Sequence, residues 1–134
     1  MNNKLLIIIV LSFFFGDTKK YLLVCRFSEL NCESCESYSI KSLLSVVDSI
    51  GKNNILFLGS YRNNRVFNRQ KTLYGIDSMN IANISTLNIP AENIGYPYYF
   101  ILDNTLTISN LSVPDKGSPE VNYSVFKTCK GSLF

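Results

Sequence analysis

Residues 21–51, YLLVCRFSELNCESCESYSIKSLLSVVDSIG, carry the pattern that decides the fold. The run from Tyr21 to Phe27 is apolar and rich in β-prone residues, which predicts a mostly buried strand. After Cys35 the apolar residues recur at helical spacing, and Gly51 follows as a stop signal, so an amphipathic helix is predicted. Its apolar positions are Ile40, Leu43, Leu44, Val47 and Ile50.

The middle of the chain continues this alternation of strand and helix. Residues 54–61, NILFLGSY, repeat the strand pattern. Residues 62–75 are polar but carry a modest helical face, and residues 77–96 are expected to hold a short strand and a loop. Strands that alternate with helices indicate a sheet whose first strands are parallel and joined by crossovers.

The last third of the chain changes to a hairpin pattern. Residues 98–102 and 106–111 flank Asp103-Asn104-Thr105, whose side chains suit a tight turn, so the pair predicts an antiparallel hairpin. Ser118-Pro119-Glu120 has the residues of a helix start and predicts a C-terminal helix. The predicted fold class is therefore α/β: a mixed sheet flanked by helices, in the order strand, helix, strand, helix, hairpin, C-terminal helix.

The N-terminal segment is apolar from Leu5 to Phe15, interrupted only by Ser12, and follows Lys4. Eleven helical residues reach only about 17 Å, well short of a bilayer core of about 30 Å, so a full transmembrane helix is disfavoured. We expect residues 1–19 to be a signal-like or membrane-anchoring segment, with residues 5–15 as the part that meets the membrane. The alternative is a buried strand or helix of the domain. Residues 20–134 are expected to form one domain.

Composition excludes several functional classes. The chain contains no histidine, which rules out Ser/His/Asp triads, Cys/His protease pairs and imidazole metal ligands. The formal net charge is only +3, and the basic residues do not form a long run, so we expect no nucleic-acid partner. Cysteine is left as the conspicuous reactive side chain, at four positions.

Two of these cysteines lie at the junction between the first strand and the first amphipathic helix, in Cys32-Glu33-Ser34-Cys35. Free backbone N–H groups and the helix dipole favour an anion in the first helical turn, so a cysteine there ionises more easily. The second cysteine lies three residues on, on the same helical face, and can resolve a mixed disulfide. We therefore predict Cys32 as the attacking and Cys35 as the resolving catalytic residue.

Other uses of the cysteines remain open. A zinc site would need Cys25 and Cys129 to complete four ligands, because the chain has no second CxxC and no histidine. A purely structural disulfide is another alternative, although so short a loop gains little stability from closure. Cys25 lies in the predicted core strand and is interpreted as a small hydrophobic residue. No metal or other cofactor is expected.

The order of these features resembles a known family. Leu23-Val-Cys-Arg-Phe27 leads into Cys32-Glu-Ser-Cys35 and a helix, and Gly95-Tyr-Pro97-Tyr-Tyr-Phe-Ile-Leu-Asp103 precedes the hairpin. This arrangement is similar to thioredoxin-like redoxins, especially the envelope thiol-disulfide oxidoreductases of bacteria. The resemblance implies a thioredoxin-like domain that exchanges disulfides with protein thiols and takes electrons from a separate donor. It also implies a location in the cell envelope or periplasm, with a possible anchor to the inner membrane.

The resemblance assigns substrate binding to Tyr96 and Pro97. In such proteins the corresponding proline is cis and lies against the redox pair, and the backbone of the preceding residue pairs with an extended substrate chain. The chain departs from thioredoxins in having Asn31 before the first cysteine and Arg26 where they bury an acidic proton acceptor; Glu29 is a candidate replacement. A redox-inactive thioredoxin-like binding module is therefore an alternative function, and a zinc-stabilised interaction domain is a further one.

Overall fold

The computed structural model describes residues 3–16, 21–85, 87, 95–113 and 131–132. These residues form a mixed sheet flanked by helices, which confirms the predicted α/β class. The elements are α1 (Asn3–Phe13), β1 (Tyr21–Ser28), α2 (Glu33–Leu44), α3 (Val47–Ile50), a 3-10 turn (Lys52–Asn54), β2 (Ile55–Ser60), α4 (Asn64–Tyr74), β3 (Asn80–Asn83), β4 (Tyr98–Asp103), β5 (Thr107–Ser112) and the two-residue β6 (Gly131–Ser132).

The sheet has the order β3-β2-β1-β4-β5-β6. Strands β1, β2 and β3 run parallel, whereas β4 is antiparallel to β1 and β5 is antiparallel to β4, as the alternation and the hairpin pattern predicted. Asp103 stabilises the hairpin turn, because its carboxylate accepts from the N–H groups of Thr105 and Thr107, each at 2.9 Å. The C-terminal helix predicted from Ser118 lies outside the described residues.

The helix that follows the cysteines is interrupted, contrary to the continuous pattern expected up to Ile50. Helix α2 ends at Leu44, and the short α3 begins at Val47. The Ser45 hydroxyl donates to the Ser42 carbonyl at 2.6 Å. The backbone bonding changes at the same place: the Ser45 N–H donates to the Lys41 carbonyl four residues back, whereas the Val46 N–H donates to the Leu43 carbonyl three residues back, so the regular α-helical pattern ends here.

The two faces of the sheet bury different helices. Cys25 lies in the second of two hydrophobic clusters and is fully buried, which confirms its prediction as a core residue. The first cluster contains Leu11 and Phe15 from the N-terminal segment together with side chains of β1, β2, β4 and β5. The second contains Ile40 and Leu43 of α2 and Phe67 of α4. Helices α2 and α4 therefore share one face, opposite the face that α1 covers.

The N-terminal segment forms a helix, and part of it packs into the core. Leu11 and Phe15 are buried, whereas Phe13 is 83% exposed. Such packing is expected if the segment belongs to the domain, which is the alternative given above. The use of the segment as a signal or membrane anchor stays a prediction. None of the helices in the described ranges has the length and apolar character needed to cross a membrane.

Candidate redox site

Cys32 and Cys35 form a disulfide, with their Cα atoms 5.2 Å apart. Cys32 is the N-cap of α2 and has an extended backbone, with φ −65° and ψ 139°. Its Sγ accepts from the backbone N–H of Cys35 at 3.0 Å. The Cys32 side chain is exposed and that of Cys35 is half-buried. The first sulfur is therefore open to solvent at the start of a helix, and the second lies behind it.

The loop between β1 and α2 is shaped by its own polar side chains. Asn31 Oδ1 accepts from the Ser28 N–H at 2.7 Å, and Ser28 Oγ accepts from the Leu30 N–H at 3.1 Å. Such side-chain turns reverse the chain locally without a strand or helix partner. They bring Cys32 to the start of α2 directly after the carboxyl end of β1.

A buried carboxylate lies in the first turn of α2. Glu36 is 4% exposed and accepts hydrogen bonds from the hydroxyl groups of Tyr61 and Tyr74, the latter at 2.8 Å. Burial raises the pKa of Glu36 above its ordinary value, although the two hydroxyl groups oppose the rise by stabilising the carboxylate. Burial and the bond to Glu36 also raise the pKa of both tyrosines.

The sequence analysis did not single out Glu36 as a buried residue. A signal was present, because Glu36 precedes Ile40 by four residues and Leu43 by seven, which places it on the apolar stripe of α2. Glu33 also has helical spacing to the stripe, seven residues before Ile40, but it is the first residue of α2 and is exposed. Of the two acids, Glu33 is thus the solvent-facing charge next to Cys32.

Two further charged residues have structural partners. Arg26 is 2% exposed, and its guanidinium donates to the Gly59 carbonyl at 2.9 Å and to the Ile84 carbonyl at 2.7 Å. It therefore joins the end of β2 to the segment after β3. Glu29, the candidate replacement for the missing acid, instead accepts from Arg62 Nε at 3.1 Å in an ion pair at the surface.

Cys25 is unsuited to exchange chemistry. It is fully buried and not in a disulfide. Burial raises the pKa of the Cys25 thiol, and the nearby charge of Glu36 raises it further, so the thiol form is favoured over the reactive thiolate.

The expectation of a cis bond before Pro97 is wrong, because the described residues contain no cis peptide bond. The chain turns instead at Gly95, whose φ of +77° is readily adopted only by glycine, and Pro97 is buried just before β4. Tyr98 pairs with Arg26 in the antiparallel register. Tyr96 and Pro97 therefore lie at the end of the sheet from which the loop to Cys32 departs.

A cavity of about 470 Å³ opens at this end of the sheet. Asn31, the residue before Cys32, and Tyr96 both line it, together with Ser28 and Ser60 from the ends of β1 and β2. The structure thus brings Tyr96 to the loop that carries the redox pair. The carboxyl ends of parallel strands are a common location for ligand sites in α/β sheets.

Neither metal-ligand geometry in the described residues nor comparison with known proteins identifies a function for the chain. Within the described ranges, no group of three or more His, Cys, Asp or Glu side chains has the arrangement of a metal site, and Cys129 lies outside those ranges. Comparison with family models, with curated proteins and with solved structures gives no match. What the chain shares with redoxins is a mixed sheet and a cysteine pair near a helix start.

Proposed function

We propose that the protein is a thiol-disulfide oxidoreductase that exchanges its Cys32–Cys35 pair with protein thiols or disulfides. The observation that carries the proposal is the exposed Cys32 sulfur at the N-cap of α2, with the Cys35 N–H directed at it. A fixed donor and a helix terminus stabilise the thiolate, which is the nucleophile in disulfide exchange.

The reaction proceeds in two exchange steps. In the reduced protein, the Cys32 thiolate attacks one sulfur of a substrate disulfide, forms a mixed disulfide and displaces the other substrate sulfur as a thiolate. The Cys35 thiolate then attacks Cys32 Sγ, closes the protein disulfide and releases the second substrate thiol. Two electrons pass from the protein to the substrate, and a dithiol donor returns them. With a dithiol substrate the same steps run in reverse.

Tyr96 and Pro97 are proposed to contact the substrate chain, as the resemblance to redoxins implies. The position of Tyr96 supports this role, because it lines the same cavity as Asn31, the residue directly before Cys32. We propose the cell envelope as the setting on the strength of the apolar N-terminal segment, where an oxidising compartment makes dithiol exchange with secreted proteins useful.

The test begins with the redox equilibrium of the purified protein. Thiols are trapped after incubation at a series of glutathione ratios, and reduction of insulin disulfides is followed for the wild type, Cys32→Ser and Cys35→Ser. We expect a reversible two-electron couple, loss of activity in both variants, and a mixed disulfide that accumulates only in Cys35→Ser. Cys32→Ser is the matched control, because it retains one thiol of the pair but lacks the attacking one.

The alternatives give different results. A disulfide that stays closed across the physiological range of glutathione ratios would indicate the redox-inactive binding module. Stoichiometric zinc in the purified protein, with unfolding on chelation, would indicate the metal-stabilised domain. Either result would overturn the proposed exchange activity.

A further inference from the structure

Helix α4 carries an unusual set of charges. From Asn64 to Tyr74 it contains Arg65, Arg69 and Lys71 and no acidic residue. Arg62 lies just before its N-cap, Asn63. Arg65 and Arg69 are four residues apart and lie on one side of the helix, and Arg62 precedes them in the segment before the N-cap. We call these three residues the basic stripe.

The basic stripe is exposed, and two of its three arginines have no acidic partner among the described residues. The side chain of Arg62 is 88% exposed and pairs with Glu29. Arg65 and Arg69 are exposed as well, and neither forms an ion pair with any residue in the described ranges. Lys71 lies on another side of the helix, with its Nζ 5.5 Å from the centre of the Phe67 ring.

These charges work against the stability of the helix. Arg65 lies in the first turn, where a cation opposes the helix dipole. Arg65 and Arg69 are also like charges one turn apart, which repel each other. Both penalties would be relieved by an anionic partner laid along the stripe, so the charge pattern favours docking over a role in folding.

The start of the stripe, Arg62, lies near the loop that leads to the redox pair. Strands β1 and β2 are parallel with Ser28 opposite Ser60, so the helices that follow them begin at the same edge of the sheet. Glu29 of the loop before Cys32 contacts Arg62. Tyr74, whose hydroxyl reaches Glu36 in the first turn of α2, and the core residue Phe67 lie about half a turn around α4 from Arg65 and Arg69, so these two arginines are on the outer side of the helix. A chain bound at Cys32 would therefore meet Arg62 first and then the outer side of α4.

We propose that the substrate of the redox pair is an acidic protein segment, whose carboxylates bind the basic stripe while its sulfur meets Cys32. This inference rests on the proposed exchange activity and names its substrate class. Arg65 and Arg69 are about 6 Å apart along the helix axis, and alternate residues of an extended chain have nearly the same spacing. A Glu-x-Glu segment fits the pair. The exposed Glu33 beside Cys32 would repel a carboxylate close to it. The acids of the substrate should therefore lie some residues away from the substrate cysteine.

The test uses two synthetic peptides, each with one internal disulfide. They differ only in a Glu-x-Glu-x-Glu or a Lys-x-Lys-x-Lys segment that starts four residues from the nearer cysteine. The protein is reduced with dithiothreitol, freed of it, and mixed with each peptide at low and high salt. We expect the Glu peptide to be reduced about tenfold faster at low salt, with the difference shrinking at high salt, because steering between charges is screened.

Charge reversal locates the effect on the helix. In Arg65→Glu/Arg69→Glu we expect the preference to disappear or to turn toward the Lys peptide. The matched control is Lys41→Glu/Lys52→Glu, which changes the net charge equally at exposed positions outside α4, one of them in the turn that precedes β2. It should keep the preference. Equal rates for the two peptides, or an equal effect of the control, would overturn the inference.

Binding of the peptides is also measured in the absence of disulfide exchange. Versions of both peptides with serine in place of each cysteine report binding by fluorescence anisotropy. Tighter binding of the Glu version, and its loss in Arg65→Glu/Arg69→Glu, supports the docking surface. If that binding is seen but no disulfide is exchanged, only the redox proposal fails. Equal binding of both versions overturns the docking surface. Strong binding to vesicles of anionic lipid, with no preference between peptides, would assign the stripe to a membrane instead.

Discussion

The backbone N–H of Cys35 donates to Sγ of Cys32 at 3.0 Å, across the first turn of α2. A sulfur that caps a helix and accepts from its free N–H groups is favoured as an anion once the disulfide opens. The same turn carries Glu33, an exposed acid that opposes this effect. The balance between the two sets the reactivity of Cys32, and it leads to the first prediction.

Glu33→Gln should make Cys32 more reactive. Removing an exposed negative charge next to the sulfur favours the thiolate, and we expect alkylation by iodoacetamide at pH 7 to accelerate about two- to threefold. The rate is measured in a Cys35→Ser background so that one thiol of the pair is present. Asp48→Asn, an equal charge change in α3, is the control. An unchanged or slower rate for Glu33→Gln would contradict this account.

Tyr96→Pro should impair reduction of peptide disulfides but leave the equilibrium with glutathione unchanged. Proline lacks the backbone N–H through which residue 96 is proposed to pair with a substrate chain. Tyr96→Ala keeps that N–H and removes only the ring, so it should retain most of the peptide activity. Equal losses in both variants would assign the contribution to the ring rather than to the backbone.

Glu36→Gln should change how stability depends on pH. Burial raises the folded-state pKa of Glu36. Between the ordinary value and the raised one, the folded chain binds more protons than the unfolded chain, so the free energy of unfolding falls as pH rises. The contribution of protonated Glu36 is complete at low pH and is lost as pH rises through the raised pKa. Urea unfolding at pH 4 and pH 7 should show wild type losing stability relative to Glu36→Gln. A constant difference would contradict the shift.

Leu11→Ala in the full chain tests whether α1 belongs to the domain. Leu11 is fully buried, so we expect a loss of about 3 kcal/mol in the free energy of unfolding. Phe13→Ala, at an exposed position of the same helix, should change it by less than about 0.5 kcal/mol. If Leu11→Ala has no effect, the segment contributes nothing to the core, as expected of a signal-like leader.

Gly59→Ala should destabilise the face of the sheet that supports α2 and α4. A Cβ at this position would collide with the Phe67 ring and press against Phe27. We expect a loss of about 1–3 kcal/mol, measured by urea unfolding. Phe67→Leu removes the obstructing ring, so adding Gly59→Ala to that variant should cost less than it does in the wild type. Strict additivity would show that the collision is not the cause.

Local patterns were sufficient to predict much of this fold. Alternation of apolar strands with an amphipathic helix predicted β1, α2 and β2, and the Asx-rich turn predicted the hairpin of β4 and β5. The pattern failed at Ser45, where the backbone hydrogen bonds change and α2 ends although the apolar spacing continues to Ile50. Periodicity reports which face of a segment is apolar, but not whether its backbone bonds are uninterrupted.

The amino-acid sequence alone determined the cysteine pair and its place at a helix start, because sulfur spacing and helix capping depend on neighbours within one turn. Only the tertiary structure decided that Glu36 is buried between two tyrosines, that Arg26 joins β2 to the segment after β3, and that the bond before Pro97 is trans. It also placed Arg62, the start of the basic stripe, against Glu29 in the loop before Cys32. These relationships depend on contacts between residues far apart in the chain, which no local pattern encodes.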